Sequence, residues 1–306
     1  MFPTFPQFAR LSLDDRESYD EFVAEFPPYS DISFTTLHIW WNLHGKLAVS
    51  MLNDNLIIDY LLPFDPKNSG YSIIGKHDID QSLNTVLSHL KTHHKPARLV
   101  HVPEFVVKAI RHPEDFKFEE EVDYNEYILD SNALATLESS LHGRTRKEVN
   151  RFFREVEGRV LETKALDLSG QEARDQLFSA IRGWEESHPG KNDPDHTEYQ
   201  AIQKTLEHAA IFDIQNLGLY IDGELQAIVL YHKTNDQQYY IVHHLKVNYS
   251  TPRIFDYMTH QIARKASDDK VPFINAEMDL GVENLRMHKM RLRPIEFFRK
   301  YTIRPA

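Results

Sequence analysis

The chain has 306 residues, of which 41% are hydrophobic and 26% are charged, and its formal net charge at pH 7 is -11. This length and composition can bury a sizeable core and suggest about two domains of roughly 150 residues each. The acidic balance excludes a protein that coats nucleic acid through a broadly basic surface. Cysteine is absent, which excludes disulfides, zinc–thiolate sites and thiol nucleophiles.

The N-terminus and the hydropathy of the chain predict its compartment. The opening residues carry no positively charged segment ahead of an apolar core, which a secretory signal would need. No run of residues approaches the roughly 20 apolar positions of a membrane-spanning helix. We therefore expect a cytoplasmic protein without integral membrane association.

The pattern of the first 118 residues predicts a mixture of helix and strand. Asn53 and Asp54 have good turn chemistry and predict a hairpin between two alternating segments. Asp78 or Asp80 is expected to cap the helix that follows them. The predicted helices are 16–26, 34–43, 78–94 and 103–110, the hairpin strands are 46–52 and 55–61, and a short strand is 98–102.

The remaining residues predict a three-strand meander set between helices. Asp222 and Gly223 mark one of its tight turns. The predicted strands are 118–129, 159–165, 217–221, 224–232, 238–247 and 273–280; the predicted helices are 144–156, 169–186, 196–210, 254–266 and a last one that runs to Pro294. Together these elements predict an α+β fold with two domains, 1–118 and 119–306.

The segment 274–289 carries the most informative motif. With the two-residue period of a strand, Asn275, Glu277 and Asp279 share one polar face. Glu277, a carboxylate beside a like charge, is a candidate general base. We expect Asn275 and Asp279 to contact the substrate, although Asp279 could equally cap the next helix.

Two helices concentrate positive charge within this acidic chain. The windows 142–154 and 286–300 carry five and six Lys or Arg residues, against one acidic residue each. At helical spacing, the first helix has a basic face opposite an apolar one, and the second has a basic stripe. These surfaces are either ordinary solvated faces or binding sites for an anion. The basic face is Arg144, Lys147, Arg151 and Arg154, the apolar face is Val149, Phe152, Phe153 and Val156, and the stripe is Arg286, Lys289 and Arg293.

Several histidines have spacings that bear on chemistry. His243 and His244 lie on opposite faces of the predicted strand 238–247, with His243 on the face of Val247. Either imidazole is a candidate proton carrier, although a hydrogen-bonded core histidine is the commoner case. His89 and His93 have the spacing of two metal ligands on a helix but lack a carboxylate in register, so no metal site is expected. The motifs of serine hydrolases, P-loop NTPases and dinucleotide-binding enzymes are absent.

An ordered set of short motifs runs through nearly the whole chain. Its segments are 29–34 with Leu37 and Trp40, then 123–127, Leu137, 141–152, Trp184, Glu198, 218–226, 275–281, Leu285, Arg286 and Lys289. This set resembles the domain at the C-terminus of phosphatidylglycerol lysyltransferases, which also occurs alone in many bacterial proteins. The ordered combination is more specific than any one of its motifs.

The resemblance implies two tandem GNAT-like (acyl-CoA N-acyltransferase) domains, each a mixed, mainly antiparallel sheet flanked by helices, with the likelier active site in the second. It also implies transfer of an acyl or aminoacyl group to a hydroxyl or to a small-molecule or peptide amine. The donor would be an acyl-CoA or an aminoacyl-tRNA, acting as a co-substrate and not as a tightly bound cofactor. The residues expected at the donor are Arg144, Arg146, Lys147, Asn150, Arg286 and Lys289, and the expected proton carriers are Glu277 and His243.

Two departures from the family pattern leave a second function open. The segment 247–253 lacks the two glycines with which GNAT enzymes wrap the pyrophosphate of the donor. The lysyltransferases carry a large membrane portion, and none is expected here, so the acceptor need not be a lipid. The alternative is a non-catalytic protein that binds an anionic metabolite or nucleotide.

Overall fold

The computed structural model describes residues 2–42, 47–60, 69–138, 140–187 and 197–306. The ends of four predicted elements, at residues 43, 46, 61 and 196, lie outside these ranges. The strands are β1 Ala9–Arg10, β2 Ala48–Leu52, β3 Asn55–Tyr60, β4 Gly70–Ile74, β5 Leu99–Pro103, β6 Phe116–Glu120, β7 Glu126–Asp130, β8 Leu161–Lys164, β9 Gln215–Ile221, β10 Glu224–Lys233, β11 Tyr239–Val247, β12 Phe273–Asn275, β13 Glu296–Phe298 and β14 Lys300–Pro305.

The helices cover most of the segments that the sequence predicted to be helical. Within the described ranges, no helix is at once long enough and apolar enough to cross a membrane. The helices are α1 Arg16–Val23, α2 Phe34–Thr36 with a π-helical turn at Leu37–Trp41, α3 Ile79–Thr92, α4 Glu104–Val107, α5 Ser131–Thr136, α6 Gly143–Glu155, α7 Gln171–Glu186, α8 Thr197–Glu207, α9 Ile254–Asp268 and α10 Glu283–Arg291.

The first sheet has the strand order β1-β2-β3-β4-β5-β14-β6. Strands β2, β3 and β4 form an antiparallel meander, α3 follows, and β5 then pairs in parallel with β4 at Tyr71 and Leu99. The apolar stripe of α3, which includes Leu83 and Val86, packs on Ile57 and Ile73 of the sheet. The C-terminal strand β14 lies between β5 and β6 and is antiparallel to both.

The second sheet repeats this arrangement with the order β13-β7-β12-β11-β10-β9-β8. Here β9, β10 and β11 form the meander, α9 follows, and β12 pairs in parallel with β11. Each sheet thus has a meander, a crossover helix and one parallel neighbour. The expected fold class, two tandem GNAT-like α+β domains with mixed, mainly antiparallel sheets flanked by helices, is confirmed.

Different helices cover the two faces of the second sheet. On one face α6 and α9 share a core with the sheet, and the rings of Phe152 and Tyr257 stack at 4.2 Å. On the other face Ile181 of α7 and Ile202 of α8 pack against Ile228 and Leu230 of β10. A side chain on β10 or β11 therefore faces either α6 and α9 or α7 and α8.

The chain divides into two compact units. The first comprises the described residues up to Glu126 together with Met278–Gly281 and Phe297–Ala306, and the second comprises Tyr127–Glu277 and Val282–Glu296. The first unit extends past residue 118, where the sequence analysis placed the boundary. It also includes the C-terminal strand, because β14 forms its hydrogen bonds with β5 and β6.

The expected cap of the helix that begins at Ile79 is wrong. Asp78 has left-handed backbone angles, and its side chain accepts no capping hydrogen bond. The carboxylate of Asp80 instead accepts the N–H groups of Arg111 and His112, at 3.0 and 2.7 Å. Strands β4 and β14 were not predicted either, since neither segment has a clear alternation bounded by turn residues.

A buried lysine cluster ties β14 into the first unit. The ammonium of Lys300 donates to the carboxylates of Asp31 and Glu126, and all three side chains are at most 2% exposed. Burial opposes the charge of Lys300, but the two carboxylates outweigh it and raise the pKa of the ammonium. Backbone N–H of Ser30 also donates to Glu126, at 2.7 Å. The cluster joins the last strand to residues from two distant parts of the sequence.

We expect the Lys300→Met substitution to lower the free energy of unfolding by about 3–5 kcal/mol, because it leaves two carboxylates buried without their cation. Chemical denaturation followed by circular dichroism measures this change. Lys117→Met removes an exposed lysine from the neighbouring strand β6 and should change stability by less than about 0.5 kcal/mol. An equal loss of stability in both variants would contradict the conclusion that Lys300 neutralises two buried carboxylates.

The same cluster predicts a pH dependence of stability. Burial raises the pKa of Asp31 from 3.8 to about 6, with Lys300 opposing the shift and Glu126 adding to it. A carboxyl that is easier to protonate when folded stabilises the fold below its unfolded pKa and loses that contribution as the pH rises through its folded pKa. Asp31→Asn, compared with wild type, should therefore gain about 3 kcal/mol of relative stability between about pH 4 and about pH 7. A stability difference between the two proteins that does not vary with pH would contradict the raised pKa of Asp31.

Candidate active site and anion groove

The second sheet opens between β11 and β12. Their parallel pairing ends at Ile241 and Asn275. Beyond that point the chain of β12 stays with β7, where Ala276 N–H donates to the carbonyl of Tyr127 at 2.9 Å, while β11 runs on to Val247. We call this opening the sheet gap. Two residues beyond this last pair lie His243, on β11, and Glu277, in the turn that follows β12.

The predicted strand 273–280 is wrong beyond Asn275. Glu277, Leu280 and Gly281 have positive φ angles of 55°, 53° and 75°, which extended backbone cannot adopt. Asn275 stabilises this turn, because its side-chain oxygen accepts the N–H of Glu277 at 2.8 Å. Asp279 likewise accepts the N–H of Gly281 at 2.8 Å. Asn275 thus lies at the end of β12, whereas Glu277 and Asp279 are placed by turns and not by a strand face.

Asn275 and Asp279 were expected to contact the substrate. Both residues are 0% exposed. Their contact with substrate stays a prediction, and their hydrogen bonds favour roles in holding the turns at Glu277 and at Gly281. The alternative expectation, that Asp279 caps a helix, is wrong, since α10 begins at Glu283 and is preceded by Val282.

A β-bulge places His243. Leu230 pairs with His244 and the next residue, Tyr231, pairs with Val242, so His243 has no partner directly across from it. The bulge reverses the alternation of side chains along β11. The predicted sharing of a face by His243 and Val247 is therefore wrong, because Val247 and Val242 pack together in the core beneath α6 and α9.

Three side chains meet at the sheet gap. His243 Nδ1 lies 3.0 Å from Glu277 Oε1, and His243 Nε2 lies 2.7 Å from His232 Nδ1. The side chain of His243 is 0% exposed and that of Glu277 is 13% exposed, whereas His232 is half-buried. Burial lowers the pKa of His243 to about 3, so this imidazole is neutral at physiological pH. We call these residues the His–His–Glu triad.

Sequence analysis proposed two members of the triad but missed His232. The structure brings Glu277 and His243 together, a contact that the sequence analysis did not predict. His232 pairs with Ile241 across the hairpin, so regular alternation gives no reason to expect its contact with His243. The bulge produces that contact, and no sequence signal marked the bulge.

The triad lies on the sheet face that α7 and α8 cover. Lys246 on β11 donates to Glu185 of α7 at 3.1 Å and also to Glu198 of α8. His244 contacts the hydroxyl of Thr205 at 3.0 Å. These bonds hold β11 against both helices next to the gap. Burial lowers the pKa of His244 well below its usual range, with Lys246 adding to the shift.

The predicted basic helix 144–156 is confirmed as α6, and it lines a surface groove of about 460 Å³. The groove residues are Gly143, Arg146, Lys147, Asn150 and Arg154. They include three of the four residues on this helix that were expected at the donor; Arg144 is exposed but does not line the groove. Phe153, on the predicted apolar face, is 46% exposed, although its ring contacts that of Tyr257 with the ring centres 5.4 Å apart.

The α6 groove carries positive charge that none of the described residues neutralises. Arg146 donates to the carbonyl of Leu137 at 2.6 Å. Lys147 and Arg154 have no hydrogen-bond or ion-pair partner among the described residues. The groove therefore presents two uncompensated cations to solvent, which suits a ligand with more than one negative group.

The second basic stripe is only partly formed. Helix α10 ends at Arg291, and Arg293 lies beyond it with a left-handed φ of 60°, so the predicted three-residue stripe is wrong at Arg293. Arg286 is half-buried. Lys289 is 9% exposed, and its ammonium lies 5.7 Å from the centre of the Tyr127 ring. The donor contacts expected of Arg286 and Lys289 stay a prediction.

In the part of the chain that the structure describes, no group of three His, Asp or Glu side chains is arranged to hold a metal ion. The rings of His89 and His93 stack at 4.1 Å. His93 Nδ1 instead contacts the backbone carbonyl of His89, at 2.8 Å, at the C-terminal end of α3.

Solved structures share the fold over almost the whole chain. A conserved protein of unknown function from Bacteroides thetaiotaomicron is 20% identical, with a TM-score of 0.81 and 100% of both chains covered. The C-terminal domain of a predicted lysylphosphatidylglycerol synthetase from Agrobacterium fabrum is 13% identical, with a TM-score of 0.64 over 95% of this chain and 92% of the other. L-PGS from Bacillus licheniformis is 15% identical, with a TM-score of 0.59 and the same coverage. At these identities the similarity establishes a common fold.

The family model described as "phosphatidylglycerol lysyltransferase, C-terminal" matches residues 69–304. No curated protein matches the chain. The match includes β4 to β12, the α6 groove and all three residues of the His–His–Glu triad. The resemblance drawn from the sequence motifs is thus confirmed, and the chain belongs to the family of phosphatidylglycerol lysyltransferase C-terminal domains.

Proposed function

We propose that the second unit transfers an acyl or aminoacyl group from a phosphate-bearing donor, an aminoacyl-tRNA or an acyl-CoA, to an amine or hydroxyl acceptor. The contact of His243 with Glu277 at the sheet gap carries this proposal. It places a carboxylate and a neutral imidazole 3.0 Å apart in a largely buried position, which suits the movement of a proton. Family membership supports the same reaction class.

The reaction needs few protein groups. The acceptor nitrogen or oxygen attacks the donor carbonyl, and the bond between that carbonyl and the leaving oxygen or sulfur then breaks. The proton lost by the acceptor passes to Glu277 through His243. A backbone N–H of β11 past the gap, where β12 no longer pairs with it, would stabilise the negative charge on the carbonyl oxygen. Most of the rate acceleration would come from holding the two substrates together.

The α6 groove is the proposed contact for the donor phosphates. Arg146 and Arg154 are separated by two helical turns, about 12 Å of rise, so the groove can contact phosphates that are several bonds apart. Helix α6 covers the sheet face opposite the triad. A donor bound there would present its carbonyl through the sheet gap. The donor must therefore be long enough to extend from the α6 groove to the other face of the sheet.

The loop before α9 does not offer the usual place for a pyrophosphate. The side chain of Asn248 accepts the N–H of Ser250 at 3.1 Å, so the loop satisfies its own amide. Asp256, in the first turn of α9, is 8% exposed and pairs with Arg291 of α10. A buried carboxylate at this helix start disfavours a second anion. This supports a donor that is held mainly through α6.

Charge reversal in the groove tests the donor site. Lys147→Glu and Arg154→Glu should each weaken tRNA binding at least tenfold and reduce the slope of log affinity against log salt by about 1. Fluorescence anisotropy at several salt concentrations, with tRNA and with coenzyme A in parallel, measures this and ranks the donors. Lys270→Glu makes the same charge change at an exposed lysine of the second unit and should leave the slope unchanged. Identical losses in all three variants would remove the groove from the proposal.

Removal of the carboxylate tests the reaction itself. Glu277→Gln keeps the shape of the side chain but cannot accept a proton, so turnover should fall about 10²–10⁴-fold while donor binding persists. Transfer of label from charged tRNA or acyl-CoA to a panel of amines measures the rate, and Glu224→Gln, at an exposed glutamate, is the control. Donor binding without turnover by the wild-type protein would favour the alternative of a non-catalytic binder.

A further inference from the structure

The contacts of the His–His–Glu triad determine where its protons lie. An ionised carboxylate only accepts hydrogen bonds, so His243 must donate from Nδ1 to Glu277. A neutral imidazole has a single N–H, which leaves His243 Nε2 as an acceptor. His232 must then donate from its Nδ1, 2.7 Å away. With Nδ1 protonated, neutral His232 carries its lone pair on Nε2.

We propose, on the basis of the transferase function above, that His232 is the residue that contacts the acceptor and removes its proton, at Nε2. His232 is partly exposed, whereas the side chain of His243 has no exposed surface, and His232 lies at the end of the hydrogen-bonded chain opposite Glu277. Regular alternation from Leu230 places His232 on the sheet face of α7 and α8, where His243 also lies. The acceptor therefore approaches this face, opposite α6.

The proton transfer balances without a buried imidazolium. The acceptor gives its proton to His232 Nε2, the Nδ1 proton of His232 moves to His243 Nε2, and the Nδ1 proton of His243 moves to Glu277. One proton is gained by the carboxylate, and both imidazoles end neutral as the opposite tautomers. This suits His243, whose burial strongly disfavours the charged form. His243 then acts by passing the proton, and Asn275 holds Glu277 in place.

The charged groups around His232 also favour the approach of the acceptor to this face of the sheet. On the same face, Lys246 is held by Glu185 and Glu198, and Glu277 is the remaining carboxylate of the gap. Neutral His244 contacts Thr205. These groups sum to a net negative charge, which stabilises an acceptor that arrives as a cation and the positive charge that develops on its nitrogen during attack.

Nitrogen-15 NMR of the whole protein tests the proton placement without any substrate. At pH 7, His232 and His243 should both be Nδ1–H tautomers, with the signals assigned from His232→Gln and His243→Gln proteins. In Glu277→Gln the amide can donate as well as accept, so the requirement for these tautomers is removed. Observation of His232 as the Nε2–H tautomer in the wild-type protein would overturn the proposal.

Kinetics test the role of His232 in turnover. His232→Gln should lower kcat about 10²–10⁴-fold with little change in KM for the donor, and it should remove the rise of kcat/KM with pH that the base produces. His208→Gln, at another partly buried histidine of the second unit, should retain the wild-type rate and pH profile.

Solvent isotope effects give a readout that a structural role would not move. The wild-type rate in mixtures of light and heavy water should show more than one proton in transit, and the His232→Gln rate should show fewer. An active wild-type protein whose His232→Gln variant keeps its full rate and profile would overturn this inference and leave the transferase function standing. A wild-type protein without transfer activity would instead contradict the proposed function, and the tautomer measurement would still decide the proton placement.

Discussion

The candidate site depends on the loss of pairing between β11 and β12. A parallel pair that continued along its full length would place Glu277 in an extended strand, facing away from His243 or buried with it. Here the pairing stops at Ile241 and Asn275, and the left-handed residue Glu277 keeps its carbonyl bonded to β7 while its side chain turns to β11. The bulge at His243 provides the matching irregularity on the other strand. Two local departures from regular sheet thus bring His243 and Glu277 into contact.

Both units hold a lysine between two carboxylates, but in different environments. Lys300 is sealed with Asp31 and Glu126 inside the first unit, where the cluster fixes the C-terminal strand in the middle of a sheet. Lys246 with Glu185 and Glu198 is less deeply buried, and Glu198 is 29% exposed. A buried ion pair adds little net stability over an apolar replacement, but breaking it is costly, so such clusters mainly enforce one arrangement of the elements that carry them. In the second unit the elements so fixed are α7, α8 and β11, the strand that carries His243.

Periodic features of the sequence were predictable, and irregular ones were not. The apolar and basic faces predicted α6, and alternation with a tight turn predicted β9 to β11. Both are predictable because burial of one face of a helix or strand makes apolar residues recur at regular spacing. Glu277 and His243 were found by residue type and motif. Their contact, and the part played by His232, depended on a bulge that shifts the register, and a bulge here leaves no glycine or proline to mark it. The strand β14 was missed because its partners are distant in sequence and it has no turn at its start.

The balance of charge around α6 is compatible with the proposed binding of a polyanion by an acidic chain. The helix carries Glu148 and Glu155 as well as its basic residues, and both acids are paired with Arg253 at the start of α9. Arg151 also pairs with Glu148. The acids of α6 are therefore neutralised away from the groove, and Lys147 and Arg154 keep their full charge within it. At physiological ionic strength the Debye length is about 8 Å, so a phosphate in the groove interacts with these cations far more than with the net charge of -11 spread over the whole chain. The local arrangement of charge, and not the net charge, would then decide whether the proposed donor binds.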